Sequence, residues 1–300
     1  MYYNKKIMER GDDMRYFIPD DKHLNKIKEL CGVCFDMEPQ EVDYVFENKY
    51  ISTEICCVVA DEDNGEEKLC CMLFMVPCEM TINGVNAKGH YIYGACTSPQ
   101  YRHRGLMHSL VEFANNQAEK RGDKFSVLLP ANLKLYEFYS EMGYRPLYNA
   151  VNSFIKKESL PILANSVDYT YTPNTEDVTD FRNKVCQKYS GTVCYSTNIV
   201  EYAIKYALEC GGGVVYSEYG YIIYAYNEEN RLIVQEFICE KECLDIMLGL
   251  LRKVCKSDRL MLRLPPWLSD EGESFGMVKA INGGINTDEF DNAYLGLVFD

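Results

Sequence analysis

The sequence predicts an α/β protein, of α+β character with a mixed sheet, built as two consecutive units of similar order. Three observations carry that reading. Apolar, β-rich runs alternate with amphipathic helical patterns along the chain. Several of those runs, such as 54–60 and 68–75, are apolar on successive residues, as expected of a sheet covered on both faces. The order of elements in residues 1–150 also returns in residues 151–300 without evident identity. A length of 300 residues suits two domains of roughly 100–150 residues each, so the boundary is expected near 150.

Taken in order, residues 14–18 form a short strand candidate that Pro19 ends. Asp20 or Asp21 can cap a helix over 22–34, which places Leu24, Ile27 and Leu30 on one face. A second helix is expected over 38–48. The runs 54–60 and 68–75 flank Asn64-Gly65 and read as a hairpin, and Asn83-Gly84 marks the next turn. An aromatic strand then ends at Cys96. Residues 104–121 place Leu106, Met107, Leu110, Val111, Ala114 and Ala118 on one helical stripe that Gly122 stops. A buried strand over 125–129, a helix over 133–142 stopped by Gly143, and one or two strands from Tyr144 complete the first half. The second half reads as helices over 175–189 and 198–209, then strands over 214–217, 221–226 and 231–238. A helix over 243–255 and strands over 259–264 and 294–299 follow.

Composition excludes several classes of function. The net charge of −14 is spread over both halves, so there is no basic footprint for nucleic acid. An acidic surface favours encounter with cationic small molecules or peptides. No run of about 18 apolar residues is present, so no membrane span is expected. The charged N-terminus lacks an apolar leader, which argues for a cytoplasmic protein with its 14 cysteines as reduced thiols. Cys31-Gly-Val-Cys34 has the spacing of half a zinc site, but no second pair matches it, and no metal is expected.

The chemistry concentrates in Thr97-Ser98-Pro99-Gln100-Tyr101-Arg102-His103-Arg104-Gly105-Leu106-Met107. A strand that turns through a basic, Gly-containing loop into a helix N-terminus is an anion site. The first helical amides lack intrahelical acceptors, and the helix dipole favours negative charge there. Arg102 and Arg104 add donors matched to phosphate oxygens. The dipole contributes only about 0.3–1 kcal/mol at exposed sites, so the amides and arginines must supply most of the grip.

Together with Asn132-x-x-Leu135-x-x-Phe138-Tyr139-x-x-x-Gly143-Tyr144, this loop resembles the GNAT N-acetyltransferases. Arg102 and Gly105 match the family pattern Gln/Arg-x-x-Gly-x-Gly/Ala, and Met107 departs from it. Leu or Met at that position is similar to the tandem-GNAT, Eis-type branch. The resemblance covers about residues 14–147 well and the second half by architecture. It implies a first domain (1–150) that binds acetyl-CoA and a degenerate second repeat (151–300). Backbone groups at Cys96 and Thr97 would pair with the pantetheine arm. Arg102, His103, Arg104, Gly105, Leu106 and Met107 would hold the pyrophosphate, and Asn132 would bind the pantetheine. Where the first half has this loop, the second has Cys239-Glu240-Lys241-Glu242-Cys243, with two carboxylates and no Gly.

The implied reaction is attack of an amine on a thioester. A Lys-like amine has a pKa near ~10.4, so a base is needed, and the leaving thiolate needs a proton donor. The resemblance assigns the donor to Tyr139, whose phenol holds its proton at neutral pH. Candidates for the base are Glu54, Glu79, His90 and Tyr93, and, by the Eis-type resemblance, the terminal carboxylate at Asp300. The expected acceptor is a primary amine of a small molecule or peptide, and a homo-oligomer is possible. The alternatives are another acyl or aminoacyl transferase, or an acyl-CoA-binding protein without turnover.

Overall fold

The computed structural model describes residues 14–47, 51–63, 66–269, 272–287, 290 and 292–297. The chain divides into two compact units. The first is Met1–Val76 with Tyr91–Arg121, and the second is Pro77–His90 with Gly122–Asp300.

In the first unit, β1 (Arg15–Phe17) pairs antiparallel with β2 (Cys56–Asp63), with Arg15 opposite Ala60. Between them lie α1 (Leu24–Phe35) and α2 (Pro39–Phe46). The face of α1 that periodicity predicts is the one it buries, with Ile27 and Leu30 inside. Strand β2 pairs with β3 (Glu66–Ile82) down to Asp63 opposite Glu66. The expected hairpin is therefore formed, while Asn64 and Gly65 at its tip lie outside the described residues. The C-terminal part of β4 (Val85–Thr97) and helix α3 (Leu106–Arg121) complete this unit. The helix buries Leu106, Leu110, Val111, Ala114 and Ala118, as its stripe predicts.

The chain passes between the units within β3 and β4. In the second unit these two strands meet at Asn83-Gly84, with φ of +49° and +78°. Both residues are left-handed, the geometry a two-residue hairpin requires and Asn-Gly supplies. Strand β4 adjoins β5 (Phe125–Leu128) so closely at Gly89 that a Cβ there would come within 2.5 Å of the Phe125 carbonyl. Helix α4 (Leu133–Glu141) follows and ends at Gly143, φ +84°, where the Tyr144 amide bonds back to the Tyr139 carbonyl.

The remaining elements are β6 (Arg145–Pro146), β7 (Asn149–Lys156), α5 (Thr175–Cys186), β8 (Val193–Cys194), α6 (Thr197–Glu209), β9 (Gly213–Ser217), β10 (Gly220–Tyr226), β11 (Leu232–Cys239), α7 (Leu244–Val254), β12 (Arg259–Leu264), β13 (Glu273–Ser274) and β14 (Met277–Ala280). Strands exchange across the middle of the sequence. Strand β7 joins the sheet β13-β7-β12-β11-β10-β9, which is mixed because β11 and β12 run parallel. Conversely, β14 pairs with β5 and β6, and β8 pairs with β3. The strand expected over 294–299 is not one. Residues 293–297 are buried irregular chain, and 298–300 lie outside the described residues. The Tyr294 backbone satisfies itself on the Thr192 hydroxyl and the Val193 amide instead of on a ladder.

That buried segment lies against an ion pair. Arg182 on α5 and Glu236 on β11 are both fully buried, with Nε to Oε1 at 3.1 Å. Arg182 Nη1 also donates to the Val193 carbonyl at 2.8 Å, and the Tyr221 hydroxyl donates to Glu236 at 2.5 Å. At Gly296, φ +82°, a Cβ would collide with the Arg182 guanidinium, so only glycine lets the chain pass this close. Replacing Glu236 by Leu leaves a desolvated guanidinium without its counter-charge. The expected loss is about 3–5 kcal/mol, read as a lower urea midpoint at unchanged m. An unmoved midpoint would show that the pair does not hold the fold.

Candidate functional site

The loop expected to grip an anion lies in the first unit. Its base is pinned where β4 ends: the Ser98 amide donates to the Cys70 carbonyl at 2.9 Å, and the Thr97 hydroxyl lies 3.2 Å from the Cys71 thiol. A short 3-10 turn, Pro99–Tyr101, follows. Tyr101 is buried, and its hydroxyl donates to Asp61 of β2 at 3.0 Å. Arg102, His103, Arg104 and Gly105 then emerge into solvent before Leu106 turns inward to start α3.

The backbone here is unusual. His103 has φ +64° and Gly105 φ +78°, so the chain turns left-handed twice within three residues. A Cβ at Gly105 would meet nothing within 4 Å, so glycine is needed for its conformation and the backbone faces open space. Ser109 is the first amide of α3 to find a partner, the Gly105 carbonyl at 3.2 Å. The amides before it in the helix have no intrahelical acceptor. Each arginine braces the loop with one N–H, Arg102 Nε to the Thr97 carbonyl at 3.1 Å and Arg104 to the Gln100 carbonyl at 3.2 Å. The Arg104 guanidinium also sits 5.0 Å over the Tyr101 ring. Neither has an ion-pair partner among the described residues, which leaves cationic N–H groups for an anionic ligand. A diphosphate fits this donor set.

Asn132 and Tyr139 belong to the second unit. Asn132 caps α4, its side-chain oxygen accepting from the Leu135 amide at 3.2 Å. The cap uses the oxygen alone, so the exposed amide nitrogen keeps its two donors. Tyr139 is 7% exposed and packs edge-on against Phe138 and Tyr144, at 5.2 and 5.8 Å. The Tyr144 hydroxyl in turn lies 2.7 Å from that of Ser126 on β5. Asp300 lies outside the described residues.

Of the other candidate bases, Glu54 is exposed and Glu79 accepts from Asn86 at 2.9 Å. Tyr93 lies 6.4 Å from the Phe74 ring, and His90 is fully buried with Nδ1 2.9 Å from Asp123. The His90–Asp123 and Tyr101–Asp61 pairs carry no sequence signal, since their members are 33 and 40 residues apart. Among the described residues no group of three or more His, Cys, Asp or Glu could hold a metal ion, and no helix is long and apolar enough to cross a membrane.

The second half repeats the order of strand, 3-10 turn and helix without the left-handed loop. Strand β11 ends at Cys239, a 3-10 turn spans Lys241–Cys243, and α7 begins at once. No residue from 240 to 243 is left-handed. The Cys239 carbonyl accepts from the Trp267 indole at 3.1 Å.

A strand, a left-handed basic loop and a helix start, repeated once without the loop, define the tandem acyl-CoA N-acyltransferase fold. Residues 18–147 match the model of the acetyltransferase (GNAT) domain, so the chain contains a region similar to that domain. Solved structures with this fold include a GCN5-related N-acetyltransferase from Anabaena variabilis (TM-score 0.72, 16% identity, covering 90% of this chain and 73% of that one). Another is Eis1 from Mycobacterium abscessus (TM-score 0.66, 13% identity, covering 90% and 74%). A third is a probable N-acyltransferase from Enterococcus faecalis (TM-score 0.71, 16% identity, covering 90% and 73%). No protein of curated function matches the sequence.

Because the α4 cap uses only the oxygen of Asn132, Asn132→Ala should cost about 1 kcal/mol of stability and Asn132→Asp close to nothing. Thermal melts of the two variants check this. Equal melting points would show that the cap contributes no stability.

Proposed function

We propose that the protein transfers an acetyl group from acetyl-CoA to a primary amine of a small molecule or peptide, with the first domain (1–150) as the catalytic one. The observation that carries this reading is the exposed loop 102–105, left-handed at His103 and Gly105, opening α3 inside the matched domain. Acetyl-CoA supplies the acetyl group activated as a thioester. Backbone groups of Cys96 and Thr97 hold the pantetheine arm. The amides of residues 103–107, with Arg102 and Arg104, hold the pyrophosphate. By the family resemblance, the spare amide hydrogens of Asn132 bind the pantetheine.

Tyr139 then protonates the departing sulfur. A phenol is protonated at neutral pH and can donate as negative charge develops. A general base, with Glu54, Glu79, His90, Tyr93 and Asp300 as the candidates, accepts the proton of the incoming amine, directly or through water. The acidic surface favours a cationic acceptor. In the second half, Glu240 and Glu242 stand where a pyrophosphate would need cations, so that repeat holds no acetyl-CoA.

Tyr139→Phe keeps the ring and removes the proton. Turnover should fall about 10²–10⁴-fold, the range for a positioned proton donor, while acetyl-CoA affinity by calorimetry stays unchanged. An unaltered rate removes Tyr139 from the chemistry. Arg102→Gln should act in the opposite sense, raising KM for acetyl-CoA more than it lowers kcat, because a phosphate contact binds ground and transition states alike. Steady-state kinetics of the two variants separate the roles.

A further inference from the structure

We propose that the second unit carries a site for a nucleoside phosphate, a flat ring bearing phosphate groups, on the open face of its sheet at Phe154, Lys156, Arg231 and Arg259. The inference lies wholly within that unit and does not depend on the function proposed above.

The alternation along the strands creates this face. In β12, Leu260, Leu262 and Leu264 are buried, so Arg259, Met261 and Arg263 point the other way. The neighbouring strands follow in register. Antiparallel β7 sets Lys156 opposite Arg259 and Phe154 opposite Met261, and parallel β11 sets Ile233 beside Met261. Directly opposed residues share a face of the sheet. Arg231 immediately precedes β11, and its guanidinium lies 5.5 Å from the centre of the Phe154 ring. A cationic row of Lys156, Arg259 and Arg231 thus borders an apolar row of Phe154, Met261 and Ile233.

Folding alone does not favour this arrangement. Like charges directly opposite each other across an antiparallel pair are destabilising. The chain has 45 acidic side chains against 31 Lys and Arg, so counter-charges are abundant. Arg231 has one, Glu229 at 2.9 Å. Lys156 and Arg259 have no ion pair among the described residues. Beside them Phe154 is 71% exposed, a large apolar ring left in water. A cavity of about 320 Å³ joins the two rows, lined by Phe154, Ile155, Lys156, Arg231 and Arg259. That volume falls within the ~300–1,000 Å³ typical of small-molecule sites.

The chemistry of the walls selects the occupant. The Cβ atoms of directly opposed residues are only about 4.5–5.5 Å apart, so Lys156 and Arg259 can reach one phosphate together. The arginine offers a fork of donors and the lysine a point charge. A monocarboxylate would balance one of these cations, whereas a phosphate group or a diphosphate balances both. The exposed Phe154 ring offers a surface on which a flat group can stack. Stacking of this kind tolerates any base, because every base has a π-face. Charge and ring together describe a nucleoside phosphate whose base is not read.

The test irradiates the full chain with an azido-ADP photoprobe and maps the labelled peptides by mass spectrometry. Label is expected on β7 and β12. ADP should displace it at a lower concentration than inorganic pyrophosphate or adenosine, each of which meets only one of the two rows. Phe154→Ala should weaken ADP at this site about 5–150-fold, the range for losing one base–aromatic stack. Lys156→Gln combined with Arg259→Gln should weaken it about tenfold or more, as for loss of a charge-assisted hydrogen bond. Because the two charges repel each other, this double variant should melt no lower than the wild type. The proposal is overturned by an absence of label on β7 and β12, by label that survives in the double variant, or by equal displacement with ADP and pyrophosphate. A double variant that melts below the wild type also overturns it, since the pair would then serve the fold. Label confined to residues 102–105 removes this site and supports the function proposed above. Label on β7 in a protein that does not bind acetyl-CoA upholds this site and removes that function.

Discussion

Amide hydrogens at the start of α3 have no acceptor within the helix, and the site is built around that deficit. Four residues, 102–105, separate the 3-10 turn from the helix, and two of them are left-handed. A right-handed path would let the chain enter the helix directly and cover its own first turn. The left-handed turns keep the backbone open at Gly105. The cost of holding a non-glycine residue at His103 in that region is of order 1–3 kcal/mol. It is offset by the anchors on either side, Tyr101 on Asp61 and Leu106 in the core.

Electrostatics decides how far this site reaches. A chain of net charge −14 repels an anion at long range. At physiological salt, however, the Debye length is about 8 Å, so distant carboxylates are screened. In the proposed function, Arg102 and Arg104 act at contact distance, where charge-assisted and bidentate bonds to phosphate are strongest. The two scales therefore do not compete. In the proposed function, the acidic surface biases which acceptors arrive, and the loop determines which donor stays.

Much of this was legible in the sequence, because local periods and caps report local structure. The faces of α1 and α3, the Asn83-Gly84 hairpin, the Gly143 stop and the short β5 all follow from spacing within one element. Asn132 was legible twice, as a motif position and as a cap. What was hidden is what depends on partners far along the chain. Strands β8, β13 and β14 have two to four residues, too few to show a period, and β14 exists because β5, about 150 residues earlier, offers it an edge. The apolar stretch from Tyr294 reads as a strand, yet its backbone is satisfied by Thr192 and Val193. Arg182 looks like any exposed helical arginine until Glu236 on β11 meets it.

The two halves share an order of elements and differ at one handover from strand to helix. Both run strand, 3-10 turn, helix. In the second, α7 begins directly after Cys243, with no intervening residues and no left-handed geometry. The strand end there is occupied: the Trp267 indole bonds the Cys239 carbonyl, and Tyr189 stacks on Trp267 at 4.3 Å. A tryptophan in that position fills space with apolar area and spends its one donor on the backbone. If that half holds no anion, as proposed, the carboxylates of Glu240 and Glu242 carry no penalty. The fold needs only that a strand hand over to a helix, whereas anion binding needs the handover to be left open. The four residues from Arg102 to Gly105 are the difference between the two.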